Sequence, residues 1–328
     1  MSYAIETERL SRVFGSLVAV EELTVAIPRG AVFGFLGPNG AGKTTTVRLL
    51  TGLIAPTSGT AVVAGHRLGV ADEAIRRSVG LLTESPGLYD RLSPLQNLVF
   101  FGRLYGLPTG RARDQAARYL RLMGLWERRD DPVGGFSKGM RQKLAIARAL
   151  LHEPAVIFLD EPSVGLDPEA ARTVRGIIKE LRAEGRTIFL TTHNLPEADE
   201  LCDLIGVFRS RLLRVDTPAR LRAALFGHGT LVRLAGEADA WLPAARALPF
   251  VRDVAAENGA LRVTLDDPDA HNPALVQTLV AAGAPIRYVE PIIASLEEVY
   301  LELVGESGGR AVGQVESGEE MAEAAANL

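Results

Sequence analysis

Cysteine is nearly missing from this chain of 328 residues. Cys202 stands alone, so no intramolecular disulfide can form and a reducing compartment is expected. Lysine is almost as scarce. Lys43, Lys138, Lys143 and Lys179 are the only four, and every other one of the 36 cationic side chains is arginine. Basic charge is not in excess either. A net charge of −4 and a pI near 5.9 offer no basic surface to nucleic acid, so none is expected as a partner. No run of about eighteen uncharged apolar residues occurs, so the chain is not expected to cross a membrane. Met1 to Glu6 lacks the basic start and apolar core of a secretion signal. What remains is the balance of a soluble globular protein, 47% apolar and 23% charged, with length enough for two domains that each bury a core.

Gly37-Pro38-Asn39-Gly40-Ala41-Gly42-Lys43-Thr44 follows a short apolar run, Ala31 to Leu36, and opens a helical pattern that starts at Thr45. Strand, glycine-rich turn and helix N-terminus are what a G-x-x-x-x-G-K-[ST] phosphate loop requires. Glycines let successive backbone N–H groups curl around a phosphate, and the helix behind them adds the positive end of its dipole. Lys43 is placed to reach the β- and γ-phosphates, and the Thr44 hydroxyl to ligate Mg²⁺. A nucleotide with Mg²⁺ is therefore the expected ligand, with Gly37 to Thr45 as the binding segment.

A second acidic signal lies at Val156 to Glu161, an apolar strand with two carboxylates at its carboxyl end, where parallel sheets bind ligands. Two readings compete for such a pair. The residues turn into solvent, or Asp160 holds Mg²⁺ while Glu161 polarises the attacking water. The phosphate loop upstream favours the second.

Strands are expected at Ile5–Val13, Val18–Ile27, Ala31–Leu36, Thr60–Ala64, Val79–Thr83, Ala155–Leu159 and Thr187–Leu190. Helices are expected near Ala71–Arg77, across Pro94–Met123, from a Ser137 cap to Leu151, and at Pro168–Ala183. Strands alternating with helices imply α/β architecture, a parallel sheet covered on both faces. Past Phe226 a β-α-β-β-α-β order points to a small α+β ferredoxin-like domain. The expected division is 1–226, with a helical lobe at about 90–151, then 227–304, then a disordered tail at 305–328 that has little to bury.

Taken together, the motifs resemble the nucleotide-binding subunit of ATP-binding-cassette (ABC) transporters. The resemblance rests on the phosphate loop, on Phe136-Ser137-Lys138-Gly139-Met140-Arg141-Gln142 as the signature, on Asp160-Glu161, on Gly165-Leu166-Asp167 as the D-loop, and on His193 as the switch histidine. It implies a P-loop NTPase cassette: a RecA-like core, an antiparallel β subdomain and a helical lobe. It also implies that Ser137 and Gly139 bind the γ-phosphate of ATP held on a second copy. Taken alone, Ser137 is an ordinary helix cap and His193 a satisfied polar group at a strand end.

Lys138 and Met140, in place of the commoner Gly and Gln, resemble the drug-resistance exporter branch, as does Ala294 to Tyr300. Glu84 stands where the family's Q-loop glutamine is usual, as a further Mg²⁺ ligand. Phe14 falls where the family stacks an aromatic on adenine, with core packing as its other reading. Tyr89, Phe100, Phe101 and Tyr105 either line a groove for a permease helix or pack the lobe.

The resemblance thus implies a homodimeric ATPase that powers export through a separate membrane permease. Glu161, His193 and Lys43 would be its catalytic residues, and the permease would hold it at the inner face of the membrane. One rival is a soluble ABC-type ATPase acting on ribosomes or DNA. It is countered by the single phosphate loop, the missing heptad run and the acidic pI.

Overall fold

The computed structural model describes residues 2–226, 228–265, 267–292 and 296–306, the backbone alone at 223–226, 228 and 304–306. The chain divides into two units, and the division falls between Thr217 and Pro218.

The first unit is built on a ten-stranded sheet. Its strands are β1 (Tyr3–Phe14), β2 (Leu17–Pro28), β3 (Val32–Leu36), β4 (Ser58–Val63), β5 (His66–Arg67), β6 (Val79–Leu82), β7 (Val156–Asp160), β8 (Thr187–Thr192), β9 (Leu204–Arg209) and β10 (Arg211–Asp216). They lie in the order β5-β4-β1-β2-β10-β9-β3-β8-β7-β6. Strands β9, β3, β8, β7 and β6 run parallel, while β5, β4, β1 and β2 are antiparallel. The two regimes differ in burial, as their sequences require. In β2, buried Leu23, Val25 and Ile27 alternate with more exposed Thr24 and Ala26. By contrast β3, β7 and β8 are buried at every residue, because helices cover both faces of a parallel sheet. Phe189 packs 5.5, 5.3 and 5.4 Å from the rings of Phe33, Phe35 and Phe158, at the centre of this core.

The helices of this unit are α1 (Lys43–Leu50), α2 (Asp72–Ser78), α3 (Pro94–Leu104), α4 (Thr109–Leu122), α5 (Lys138–Leu150), α6 (Pro168–Ala183) and α7 (Leu195–Leu201). The expected helical stretch from Pro94 to Met123 is two helices. Gly106, at φ 83, and Pro108 separate them, since the left-handed turn and the missing N–H both end a helix. Helices α3, α4 and α5 pack together as the helical lobe. A capping box at Ser93 and Gln96, with Pro94 at the first helical position, starts α3.

Strands β9 and β10 and helix α7 fill a stretch to which the sequence pattern assigns nothing. Helix α7 is only seven residues long, and the β9–β10 turn uses Ser210 at φ 61 in place of a glycine.

The second unit begins with α8 (Pro218–Phe226), which packs on α11 (Leu296–Glu306). The division therefore lies upstream of the expected 226/227 boundary, because α8 belongs with the smaller unit. Between these helices run β11 (His228–Leu234), α9 (Leu242–Arg246), β12 (Val251–Glu257), β13 (Ala260–Leu265), α10 (Pro268–Ala281) and β14 (Ile286–Pro291). The sheet order is β12-β13-β11-β14, antiparallel throughout. This is the β-α-β-β-α-β order read from the sequence, closed over a core of Val232, Leu261, Val263, Leu275 and Leu279. Of the tail expected from 305 onward, Gly305 and Glu306 are in α11; 307–328 lie outside the described residues.

Candidate ATP site

Strands β3, β8, β7 and β6 are neighbours and run parallel, so the segments leaving them emerge at one end of the sheet. Leu36 pairs with Thr192, Asp160 with Thr191, and Leu82 with Leu159. This register brings the phosphate loop, His193, Asp160-Glu161 and the Glu84 loop to the same edge, where ligands of such sheets bind.

The phosphate loop is shaped by contacts that only glycine allows. A Cβ on Gly37 would sit 2.3 Å from the Phe208 carbonyl oxygen, and one on Gly42, at φ 103, would sit 2.0 Å from that of Ala19. Helix α1 then starts at Lys43 with no side-chain cap and no acidic residue in its first turn. The leading N–H groups of a helix have no intrahelical acceptor, so those of Lys43, Thr44 and Thr45 are left for an anion.

Lys43 is buried at 6% exposure. Its Nζ donates to the carbonyls of Gly37 at 2.7 Å and Pro38 at 3.2 Å, and lies 3.2 Å from Glu161 Oε1. Glu161 Oε2 in turn lies 2.9 Å from His193 Nδ1. One carboxylate thus links the loop lysine to the histidine on the next strand. Glu161 has φ 50, a left-handed conformation that is uncommon outside glycine. Its N–H donates to the Thr191 carbonyl at 3.1 Å and to Thr191 Oγ1 at 3.2 Å, which holds that backbone in place. Strain fixed by neighbours in this way is typical of working sites.

Asp160 is buried and accepts from Thr44 Oγ1 at 2.8 Å and from the Thr191 hydroxyl. A carboxylate beside a hydroxyl is a hard-oxygen pair that suits Mg²⁺, which takes few protein ligands and fills its shell with water and phosphate oxygens. Among the described residues no cluster of three or more His, Cys, Asp or Glu is able to hold a metal. Glu84 is exposed in the loop after β6, one strand beyond Asp160.

Two positions that support the candidate site carry no motif signal. Thr191 orders both Asp160 and Glu161. Glu197, buried at 3% exposure, accepts from Thr192 Oγ1 at 2.8 Å, and Asn194 N–H donates to the same hydroxyl at 3.0 Å. That network sets the turn carrying His193. The threonine pair Thr191-Thr192 that closes the apolar run Ile188–Leu190 is the one available hint for Thr191.

Ser137 caps α5, its Oγ accepting from Met140 N–H at 3.3 Å. Gly139 has no room for a side chain, since a Cβ would fall 2.8 Å from that of Ala170. Gln142 Nε2 donates to the Pro162 carbonyl at 2.7 Å. The signature helix is therefore locked onto the segment that follows Glu161, while Ser137 itself stays exposed.

Phe14 is 44% exposed at the tip of the β1–β2 hairpin, with the Arg12 guanidinium carbon 4.4 Å from its ring centroid. Core packing is thereby excluded for it. The rings of Tyr89, Phe100 and Phe101 lie within 5.9 Å of one another. Tyr105 turns away and stacks on His152 at 3.9 Å. A cavity of about 520 Å³ along α3 is lined by Leu95, Val99, Phe100 and Leu104 together with Arg103 and Arg113.

Fold and site together define a P-loop ATPase core with an added helical lobe and a small C-terminal domain. Residues 20–164 match the family model described as "ABC transporter", and residues 217–304 match "ATP-binding protein DrrA1-3-like, C-terminal domain". The chain is 32% identical over 311 residues to the linearmycin resistance ATP-binding protein LnrL of Bacillus subtilis, covering 92% of this chain and 98% of that protein. It is 37% identical over 308 residues to the daunorubicin/doxorubicin resistance ATP-binding protein DrrA of Streptomyces peucetius, covering 92% of each. A solved ATP-binding subunit of an ABC transporter superposes at TM-score 0.62 with 32% identity, over 68% of this chain and 94% of that one. The chain belongs to the ABC transporter family as a nucleotide-binding subunit, and membership carries ATP hydrolysis with it. Among the described residues no helix is long and apolar enough to cross a membrane.

Proposed function

We propose that two copies of this chain close face to face around two ATP·Mg²⁺, and that turnover drives export through a separate integral-membrane permease that holds the chain at the inner face of the membrane. The observation that carries the reading is the Lys43–Glu161–His193 series beside Asp160, with Ser137 exposed at the start of a separate helix and Gly139 buried just behind it. Lys43 exchanges Glu161 for the β- and γ-phosphates. Glu161 then takes the proton of the attacking water while His193 steadies it. Mg²⁺, held by Thr44 and Asp160 when bound, neutralises charge on the phosphate oxygens. Ser137 and Gly139 of the other copy complete the donors around the γ-phosphate. Phe14 stacks on adenine, and Glu84 would be a further ligand for the cation. The aromatic group and the α3 cavity receive a permease helix by helix-in-groove docking.

Export of a drug-like or lipid-like molecule is the cargo class supported by relatives named for antibiotic resistance and for Nod factor export. Gel filtration of Glu161→Gln tests the pairing: a dimer with ATP·Mg²⁺ and a monomer with ADP are expected. Full-rate hydrolysis by a strictly monomeric chain would overturn it. Co-sedimentation with ribosomes in place of co-purification with a polytopic membrane protein would favour the soluble-ATPase alternative.

A further inference from the structure

Arg148 lies on α5 about three turns beyond Ser137 and takes no part in the phosphate site. Its Nη1 donates to the carbonyls of Pro86 at 2.5 Å and Gly87 at 3.1 Å. Its guanidinium carbon sits 5.0 Å from the Phe101 ring centroid, in cation–π range. The side chain is half-buried, and among the described residues no acidic group neutralises it. Desolvating a cation is costly, so the two carbonyl dipoles and the ring face repay that cost only while 86–87 and Phe101 stay where they are. Gly87, at φ 58, makes the approach possible, since even a Cβ there would crowd Nη1 at 3.2 Å.

The other end of the same helix is fixed as firmly. Gly139 packs on Ala170, and Gln142 holds the Pro162 carbonyl directly after Glu161. One helix therefore grips the catalytic segment at its start, and the Glu84–Gly87 loop with the aromatic surface near its end. A shift of α5 must carry that loop along or break charge-assisted bonds. We propose that Arg148 is the positioning residue through which displacement of α5 by nucleotide reaches the 84–87 loop and the Tyr89–Phe101 surface. The proposal rests on the dimer reading above.

Hydrogen–deuterium exchange in a Glu161→Gln background, ATP·Mg²⁺ against ADP, tests it. The Glu161→Gln chain should gain ATP-dependent protection at both 137–142 and 84–105. Adding Arg148→Met should keep the first and reduce the second about tenfold, the population change expected when one charge-assisted hydrogen bond is lost. Arg148→Lys keeps the cation without the planar fork and should fall between; it reads the same split should Arg148→Met fail to fold. Equal protection of 84–105 with and without Arg148 would overturn the proposal. So would a Glu161→Gln chain protected at 137–142 alone. Absence of protection at 137–142 would overturn the dimer reading, and this inference with it.

Discussion

Glu161 holds two jobs that one substitution pulls apart. Its carboxylate lies 3.2 Å from the Lys43 ammonium, both groups largely buried. ATP needs that ammonium, so binding has to open the pair. Opposite charges this close attract by about 1–4 kcal/mol between bulk water and a protein surface, and the same carboxylate also repels the arriving γ-phosphate. Glu161→Gln removes both obstacles and the general base together. ATP should bind roughly 10- to 100-fold tighter, while hydrolysis should fall by about 10²- to 10⁴-fold. ADP brings no γ-phosphate to be repelled and should gain less. Equilibrium titration with a fluorescent ATP and a fluorescent ADP, beside a phosphate-release assay, reads all three quantities. Equal gains for the two nucleotides, or a rate still above about a tenth of the parent's, would refute this account of Glu161.

Phe14→Ala should weaken ATP binding by about 1 kcal/mol, the scale of one stacking contact, and leave inorganic triphosphate binding unchanged in competition titrations. Glu84→Gln should keep hydrolysis, because Thr44 and Asp160 remain to hold the cation; complete loss of phosphate release would give the carboxylate a larger role. His152 carries a pH signature. Burial pushes its imidazole pKa below the ordinary value near 6.5, so as pH falls through that value the unfolded chain takes up a proton that the folded chain refuses. Stability is therefore full above about pH 6.5 and declines below it. His152→Gln should flatten that decline in thermal unfolding, and an unchanged slope would count against the assignment.

The nucleotide machinery was legible in the sequence because its chemistry is local. The phosphate loop, the Ser137 cap and the Asp160-Glu161 strand end each need particular residues at fixed spacing, whatever the rest of the chain does. The smaller unit was legible from alternation alone, though its start was not, since a helix such as α8 shows its allegiance only through packing on α11. What stayed hidden was non-local. Thr191 supports Asp160 and Glu161 across a strand pair, and Arg148 reaches Pro86 over a separation that no motif spans. The sequence leaves β9 unassigned because a five-residue apolar run reads equally as strand or buried helix. Tyr105 groups with Phe100 and Phe101 by proximity in sequence, yet it sits at the C-terminal cap of α3 and turns toward His152.

Mixing two inactive variants tests the shared site most directly. Lys43→Ala disables a copy's own phosphate loop, and Ser137→Ala disables the donor it lends to its twin. In the mixed dimer of a two-fold pair, one site inherits both lesions and the other inherits neither. Equal parts of the two chains should therefore recover about a quarter of the parent's ATPase sites from two preparations that are each inactive alone. No recovery under conditions where the chains exchange partners, or full activity in Ser137→Ala by itself, would contradict a γ-phosphate held between two copies.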